Sequence, residues 1–436
     1  MFVILVLLRS VLAAAPVTIA QERPAVTELL LGYSGQGRPI MALRIGNGPR
    51  KLALIGGTHG FPEYNTTTLV EQLAEYFRAN PEQVPSSVRL YLVPSINPDG
   101  VALSTRFNAN TVDLNRNMNT NLDACSENDW NITVQGARGL VSDTGGPYPD
   151  SEAESRIVRD FLLDASAVIF YHSNGGDVFP ALCEHAPSIA LAQAYAAVSG
   201  YRYDRYWPNY NITGGMNDWA GSLGIAAIVP ELWTGTEPDY DENLRAVQAI
   251  LAQPEMLPLP AEHNEGGFPM QALIWRYWKA HGGEALFGPP LEEPQYLGAT
   301  VRQVFRNGIL ELRPDQADSP ALVQLLPLGR NVSAGNAILG SDLAQTELFF
   351  VETGQSIHGT MAEFWQRHGG LHVLGYPISG AFERTNAQGQ QELVQIFERS
   401  VLVLDKSTAE IYLEPLGWAT LVRERASAPT LAHQIR

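Results

Sequence analysis

The chain is poor in cysteine and in positive charge, and it lacks a long unbroken apolar stretch. Only two cysteines, Cys125 and Cys183, occur in 436 residues. That excludes a small disulfide-stapled scaffold and a cysteine-rich zinc module. The pair fits one disulfide in an exported protein, or two buried thiols. Lysine and arginine total 29 against 46 aspartates and glutamates, a formal net charge of −17. Phosphate is repelled by such a surface, so nucleic acid is excluded as a partner. The most apolar segment, residues 1–20, is broken by Arg9 and Ser10, and it is a poor match to the roughly 20 continuous apolar residues of a membrane span. It suits the core of a signal peptide over 1–20, with Thr18 and Ala20 as small residues before a cut near Gln21. No positive charge precedes the run, which leaves an uncleaved anchor as the rival reading. The expected location is secreted or extracytoplasmic, in association with the cell surface.

What is present describes a folded protein. Apolar residues make up 45% and charged residues 17%, and the length calls for two or three domains. From Lys51 to Pro254, apolar runs alternate with amphipathic stretches. Lys51–Gly57, Val88–Pro94, Ala167–Tyr171 and Ala226–Pro230 read as buried strands. Thr66–Arg78, Ser151–Leu163, Ile189–Ser199 and Asp241–Leu251 read as helices, and Ser151 with Glu154 predicts a capping box. Such alternation implies an α/β sheet with helices on both faces, whose ligands sit beyond the carboxyl ends of the strands.

Residues 256–267, rich in Pro, Gly and Glu, read as a linker. Beyond them the chain repeats itself. Trp278-Lys-Ala-His-Gly-Gly283 returns as Trp365-Gln-Arg-His-Gly-Gly370, and Phe287-Gly-Pro-Pro290 as Leu374-Gly-Tyr-Pro377. Gln303-Val-Phe305 returns as Gln395-Ile-Phe397, and Leu326-Pro-Leu-Gly329 as Glu414-Pro-Leu-Gly417. The copies lie roughly 90 residues apart, over 268–330 and 345–425, as a tandem module of short helices and strands.

Five short segments carry the chemistry: His59-Gly-Phe-Pro-Glu63, Asn97-Pro-Asp-Gly100, Arg106 with Asp113-Leu-Asn-Arg-Asn117, Tyr171-His172-Ser173 and Pro230-Glu231-Leu232. His59, His172 and Glu231 lie at or just past the ends of predicted strands, where one cleft collects them. Two imidazoles and the Glu63 carboxylate are a zinc donor set that leaves one position open. Glu231 closes an apolar run, where a carboxylate is partnered or functional. Arg106 and Arg116 suit polarising a carbonyl and clamping a carboxylate. Taken singly, each also fits a turn histidine, a core histidine, a capping glutamate or a surface arginine.

The run Asn97-Pro-Asp-Gly100, Arg106-Phe-Asn108, Asp113-Leu-Asn-Arg-Asn117 resembles the zinc metallocarboxypeptidase family (M14 type), which includes pancreatic-type carboxypeptidases and bacterial murein-peptide amidases. Gly146-Pro-Tyr-Pro-Asp-Ser-Glu152, Ile169-Phe-Tyr-His172-Ser173, Tyr210-Asn-Ile-Thr-Gly-Gly215 with Asp218-Trp219, and Pro230-Glu231-Leu232 extend the likeness over residues 28–255. The resemblance implies a mixed, largely parallel sheet with helices on both faces and a catalytic domain over 27–255. It implies that His59, Glu63 and His172 hold one Zn2+, and that Glu231 is the base that activates water. Arg106 would stabilise the oxyanion, Asn115 and Arg116 would bind the terminal carboxylate of a peptide substrate, and Tyr210 would close over it.

Two departures stand out. The family spaces its first ligands His-x-x-Glu, whereas here they are His59-x-x-x-Glu63. The residue expected at the floor of the side-chain pocket is Asn217, neither acidic nor aliphatic. The repeats resemble LGFP-type modules of bacterial cell-wall enzymes, and Trp278 and Trp365 fit either sugar stacking or core packing. The expectation is an exported zinc carboxypeptidase, compact like the bacterial members, acting on peptidoglycan stem peptides and touching cell-wall glycan through its repeats. Two alternatives stay open: a zinc deacylase or amidase on a small N-acylated amino acid, and a non-catalytic wall-binding protein with a decayed site.

Overall fold

The computed structural model describes residues 24–136, 140–332 and 347–427. The expected leader over 1–20 lies outside them. Nine strands form the main sheet: β1 Val26–Tyr33, β2 Pro39–Ile45, β3 Arg50–Ile55, β4 Val88–Val93, β7 Ala167–Phe170, β8 His172–Ser173, β9 Asp177–Pro180, β10 Arg202–Tyr203 and β11 Ala226–Leu232. A small hairpin, β5 Val134–Gln135 with β6 Val141–Ser142, stands apart from it. The order is β1-β2-β4-β3-β7-β11-β9-β10, with β8 pairing the far end of β11. The β4-β3-β7-β11 centre is parallel, whereas β2 is antiparallel to β4, β1 to β2, and β9 to β11. The sheet is therefore mixed and parallel at its centre.

The central strands are buried on both faces because their middle residues are apolar and successive side chains point to opposite sides. Leu52, Leu54, Ala167, Ile169, Ala226 and Ile228 face one core. Their neighbours Ala53, Ile55, Val168, Phe170, Ala227 and Val229 face the other. Helices α1 (Asn65–Ala79), α4 (Ala186–Ser199) and α6 (Tyr240–Leu251) cover the first face. In α1 the apolar residues Leu69, Val70, Leu73 and Phe77 recur at helical spacing and are fully buried. Helices α3 (Ala153–Leu162) and α5 (Met216–Ser222) cover the second face through Val158, Leu162, Met216 and Trp219. A single turn, α2 (Pro98–Leu103), follows β4, with the Asn97 side chain accepting from the Gly100 amide at 2.8 Å as its cap.

The capping box expected at Ser151 and Glu154 does not form. The helix begins two residues later behind Glu152, and Ser151 Oγ donates to Glu152 at 2.7 Å instead. Glu154 turns to accept from the Gly35 amide at 2.9 Å. Tertiary donors reached these carboxylates first.

The C-terminal third comprises two units of the same plan. Each has a hairpin (263–270; 347–358), a tryptophan helix (Ala272–Ala280; Gly359–Arg367), a second short helix (Gly283–Phe287; Gly370–Val373) and a four-stranded antiparallel sheet. The expected linker is thus too long by five residues, since 263–267 already belong to the first hairpin. Trp278 and Trp365 are core residues. Their indole N–H groups donate to the carbonyls of Gly288 (3.1 Å) and Gly375 (3.0 Å), so neither face is open for sugar stacking.

The units embrace reciprocally. Gly329, at the end of the first, packs on the Phe397 carbonyl of the second, and Gly417 packs on the Phe305 carbonyl of the first. A β-carbon at either glycine would fall inside contact distance of that carbonyl. Gly329→Ala and Gly417→Ala are each expected to cost about 1–3 kcal/mol by overpacking, read as a lowered Tm of the full chain.

Candidate metal centre and substrate cleft

The carboxyl ends of β3, β8 and β11 converge on one cleft. After Ile55 the chain passes through Gly56-Gly57-Thr58 to His59, which is 1% exposed. His59 Nδ1 lies 2.9 Å from Glu63 Oε1. Its Nε2 lies 2.9 Å from Asp113 Oδ1. His172 brings its own Nδ1 to 3.0 Å from Glu63 Oε2. The two imidazole rings stand edge to face, with centroids 4.8 Å apart. The extra residue of the His59-x-x-x-Glu63 loop is accommodated because Gly60 fits against the Gly100 and Thr105 carbonyls, where no side chain would fit. Both ends of the loop therefore reach the same point.

Donor atoms of His59, Glu63 and His172 all lie within 4.8 Å of one another. A tetrahedral ion with bonds of about 2.0–2.1 Å needs its ligand atoms roughly 3.3 Å apart, and the two His–Glu separations of 2.9 and 3.0 Å are close to that edge. The Asp113 carboxylate behind His59 fits as well, because a ligating imidazole commonly gives its other N–H to a carboxylate that fixes its tautomer. The residues present suit a zinc ion.

Charge in the cluster is tightly balanced. Burial works against ionisation of Glu63, but His59 and Arg106 outweigh it and hold the carboxyl well below its ordinary range. Asp113 is likewise held well below its ordinary range, with Arg106 and His59 outweighing burial. Burial lowers His172, which favours the neutral imidazole that a metal requires. Arg106 spans both acids, its Nη1 at 2.6 Å from Glu63 and its Nε at 3.0 Å from Asp113.

Glu231 sits opposite His172 in the β11–β8 ladder. Burial, then the Glu63 carboxylate, pushes it up to about 8. A cation held by the neighbouring cluster would draw it back down. On the other side lies a cavity of about 340 Å³, lined by Asn115, Phe179, Trp207, Tyr210, Asn217 and Glu231 among others. Asn115 is pinned by its Oδ1, which accepts from the Met216 amide at 2.9 Å. The Arg116 guanidinium is buried. It donates to the Asn115 carbonyl at 2.8 Å and stands 5.8 Å from the Tyr210 ring, with no acid in ion-pair range among the described residues. Its Nε has no partner. A buried, unneutralised arginine beside a cavity is a seat for an anion.

All eight expected residues thus fall in or around one cleft, and Asn217 lines it too. Two further acids belong to the site. Asp113 stands directly before Leu-Asn-Arg, and that place in its motif is the signal the sequence offers for it. Asp218 closes the cavity floor, accepting from the Leu182 amide at 2.9 Å, and is buried and pushed up to about 7. The cavity wall is held by a Cys125–Cys183 disulfide, which ties the strip carrying Glu127 to the turn carrying Leu182.

Residues 14–180 match the zinc carboxypeptidase family. Over those residues the chain is similar to that family. Carboxypeptidase B of Astacus astacus is 28% identical over 234 residues, 44% of this chain and 74% of that protein. Carboxypeptidase D of Rattus norvegicus is 32% identical over 251 residues, 46% of this chain but only 17% of that protein. Among solved structures, murein-tripeptide amidase MpaA from Escherichia coli O157 aligns over 54% of this chain and 93% of its own, at 20% identity and a TM-score of 0.39. The matched family is one of zinc carboxypeptidases, which supports a metallopeptidase. Glu231, Tyr210 and Asn217 lie beyond the matched residues, so their place in the cleft rests on the geometry.

Asp113→Asn is expected to weaken zinc binding by about 10–100-fold without removing a ligand, and His172→Ala to abolish stoichiometric zinc, both read by competition titration. Between the ordinary carboxylate range and about 7, folded Asp218 keeps a proton that the unfolded chain releases, so stability falls as pH rises through that window. Asp218→Asn should flatten that slope in Tm measured against pH.

Proposed function

We propose that the chain is an exported, zinc-dependent carboxypeptidase that hydrolyses the C-terminal amide bond of peptides, with peptidoglycan stem peptides as the natural class. The observation that carries it is the buried, acid-free Arg116, set behind Asn115 and Tyr210 in the wall of the cavity that Glu231 also lines. An anion held there lies next to the bond-breaking centre, as the carboxylate of a terminal residue must. Zinc held by the three donors would polarise the scissile carbonyl and make water acidic near neutral pH.

The protein's own groups supply the rest. Arg116 and Asn115 orient the terminal carboxylate, and Tyr210, on the cavity wall, covers the bound residue. Glu231, on the strand beside His172, takes the proton of the attacking water and returns it to the leaving amine. Arg106, already at the cluster, offers donors to the oxyanion. Secretion is supported by the apolar start of the chain and by the Cys125–Cys183 disulfide, a bond favoured in oxidising compartments. Contact between the repeats and cell-wall glycan belongs to the same reading, with exposed Tyr296, Tyr412 and Trp418 as its candidate residues because Trp278 and Trp365 are buried.

The test is release of free amino acid from peptides, including stem peptides, compared with the same peptides amidated at the C-terminus. Glu231→Gln should lower kcat by about 10²–10⁴-fold while zinc stays bound. Arg116→Met should raise KM for free-acid peptides and leave the slow cleavage of amidated ones unchanged. Cleavage of N-acyl amino acids but of no peptide would give the site to a deacylase, and equal cleavage of free and amidated peptides would remove Arg116 from recognition.

A further inference from the structure

The first repeat sends one residue deep into the catalytic domain. Arg276, on the tryptophan helix Ala272–Ala280, is 3% exposed and has no acidic partner in ion-pair range among the described residues. Its guanidinium donates to four backbone carbonyls. Nη1 reaches Leu163 at 3.0 Å and Ala165 at 2.7 Å, Nε reaches Leu223 at 3.0 Å, and Nη2 reaches Gly224 at 3.3 Å. These carbonyls come from two places only. Leu163 and Ala165 link the end of α3 to the start of β7, and Leu223 and Gly224 link the end of α5 to the start of β11.

Helix ends leave unpaired carbonyls and a partial negative charge, so a cation between two of them is held by both. The two strands it joins are direct neighbours, with Ala167 opposite Ala226 at their beginnings. Their far ends carry the cleft, with His172 opposite Glu231. Helix α5 also places Asn217 and Asp218 at the cavity floor from its first turn. The hydrophobic core agrees: Leu162, Trp219, Leu223 and Ile225 of the catalytic domain form one continuous cluster with Ile274, Trp275 and Trp278 of the repeat.

We propose that Arg276 is a positioning residue for the metal centre, and that the repeats are a structural part of the catalytic scaffold. By fixing β7 and β11 to each other at their starts, it sets the relative placement of His172 and Glu231 at their ends. The role rests on the zinc-site reading above but not on peptide cleavage.

The test compares full-length wild type with Arg276→Met, Arg276→Lys and Asp318→Ala. Asp318 lies on the same repeat and is held by Arg44 of β2 and Tyr91 of β4, so its loss loosens the repeat without removing a bond to β7 or β11. In Arg276→Met, amide hydrogen exchange should quicken along both strands as far as His172 and Glu231. Zinc affinity should drop by about 10-fold or more, and kcat should fall by a similar factor with KM little changed. Arg276→Lys, which keeps the charge but not the fork, should fall between, and it decides the matter alone if the methionine variant does not fold. Asp318→Ala should lower Tm and leave zinc affinity and kcat unchanged. Faster exchange confined to residues 163–167 and 223–226, with wild-type zinc affinity, would overturn the proposal, as would equal effects from Asp318→Ala. Absence of peptide cleavage by wild type would count against the carboxypeptidase reading, while exchange and zinc affinity still judge Arg276.

Discussion

Everything in the cleft is arranged around the Glu63 carboxylate. One oxygen meets His59 and Arg106, and the other meets His172. A buried carboxylate is costly unless its oxygens are satisfied, and here three side chains from three separate chain segments satisfy it. Those segments are thereby brought into register with one another. Asp113 extends the arrangement by holding the far nitrogen of His59 and the Nε of Arg106. The result is a polar island at the open edge of two apolar cores.

The sheet makes the island possible. Its central strands are parallel and end on the same side, so residues far apart in the chain emerge together. Pro230 illustrates how local chemistry is fitted to this. It lies between the last β7 pairing of β11, at Ile228, and the first β8 pairing, at Glu231. A residue without an N–H therefore falls at the break between two ladders, where it does least harm to the strand that presents Glu231.

The C-terminal units change how the catalytic domain is bounded. Separate targeting modules on a flexible linker would share little core and few buried bonds with their host. Here the linker is short, the core is continuous, and Arg276 places a full charge against four carbonyls of its neighbour. The reciprocal seating of Gly329 and Gly417 makes the two units a single body, as their matched motifs imply.

Much of this was legible in the chain. Continuous apolar runs show which strands are buried on both faces, and the order of His59, Arg106, Asp113, His172 and Glu231 carries the chemistry, because strands and ligand types are local properties. Tertiary contact decided the remainder. The stretched His59–Glu63 loop works because Gly60 can approach Gly100 and Thr105, which lie some forty residues further along the chain. Ser151 and Glu154 failed as a cap because Gly35 and Glu152 offered other partners. By residue type Trp278 and Trp365 fit core packing better than sugar stacking without excluding the latter, and their indoles, donating to buried carbonyls, place them in the core. Arg276 reads as an ordinary helix charge in the sequence, since the carbonyls that define its role come from the ends of distant helices. Spacing and residue type settle what a segment is able to do, and three-dimensional proximity, to which a one-dimensional pattern is blind, settles which of those capacities is used.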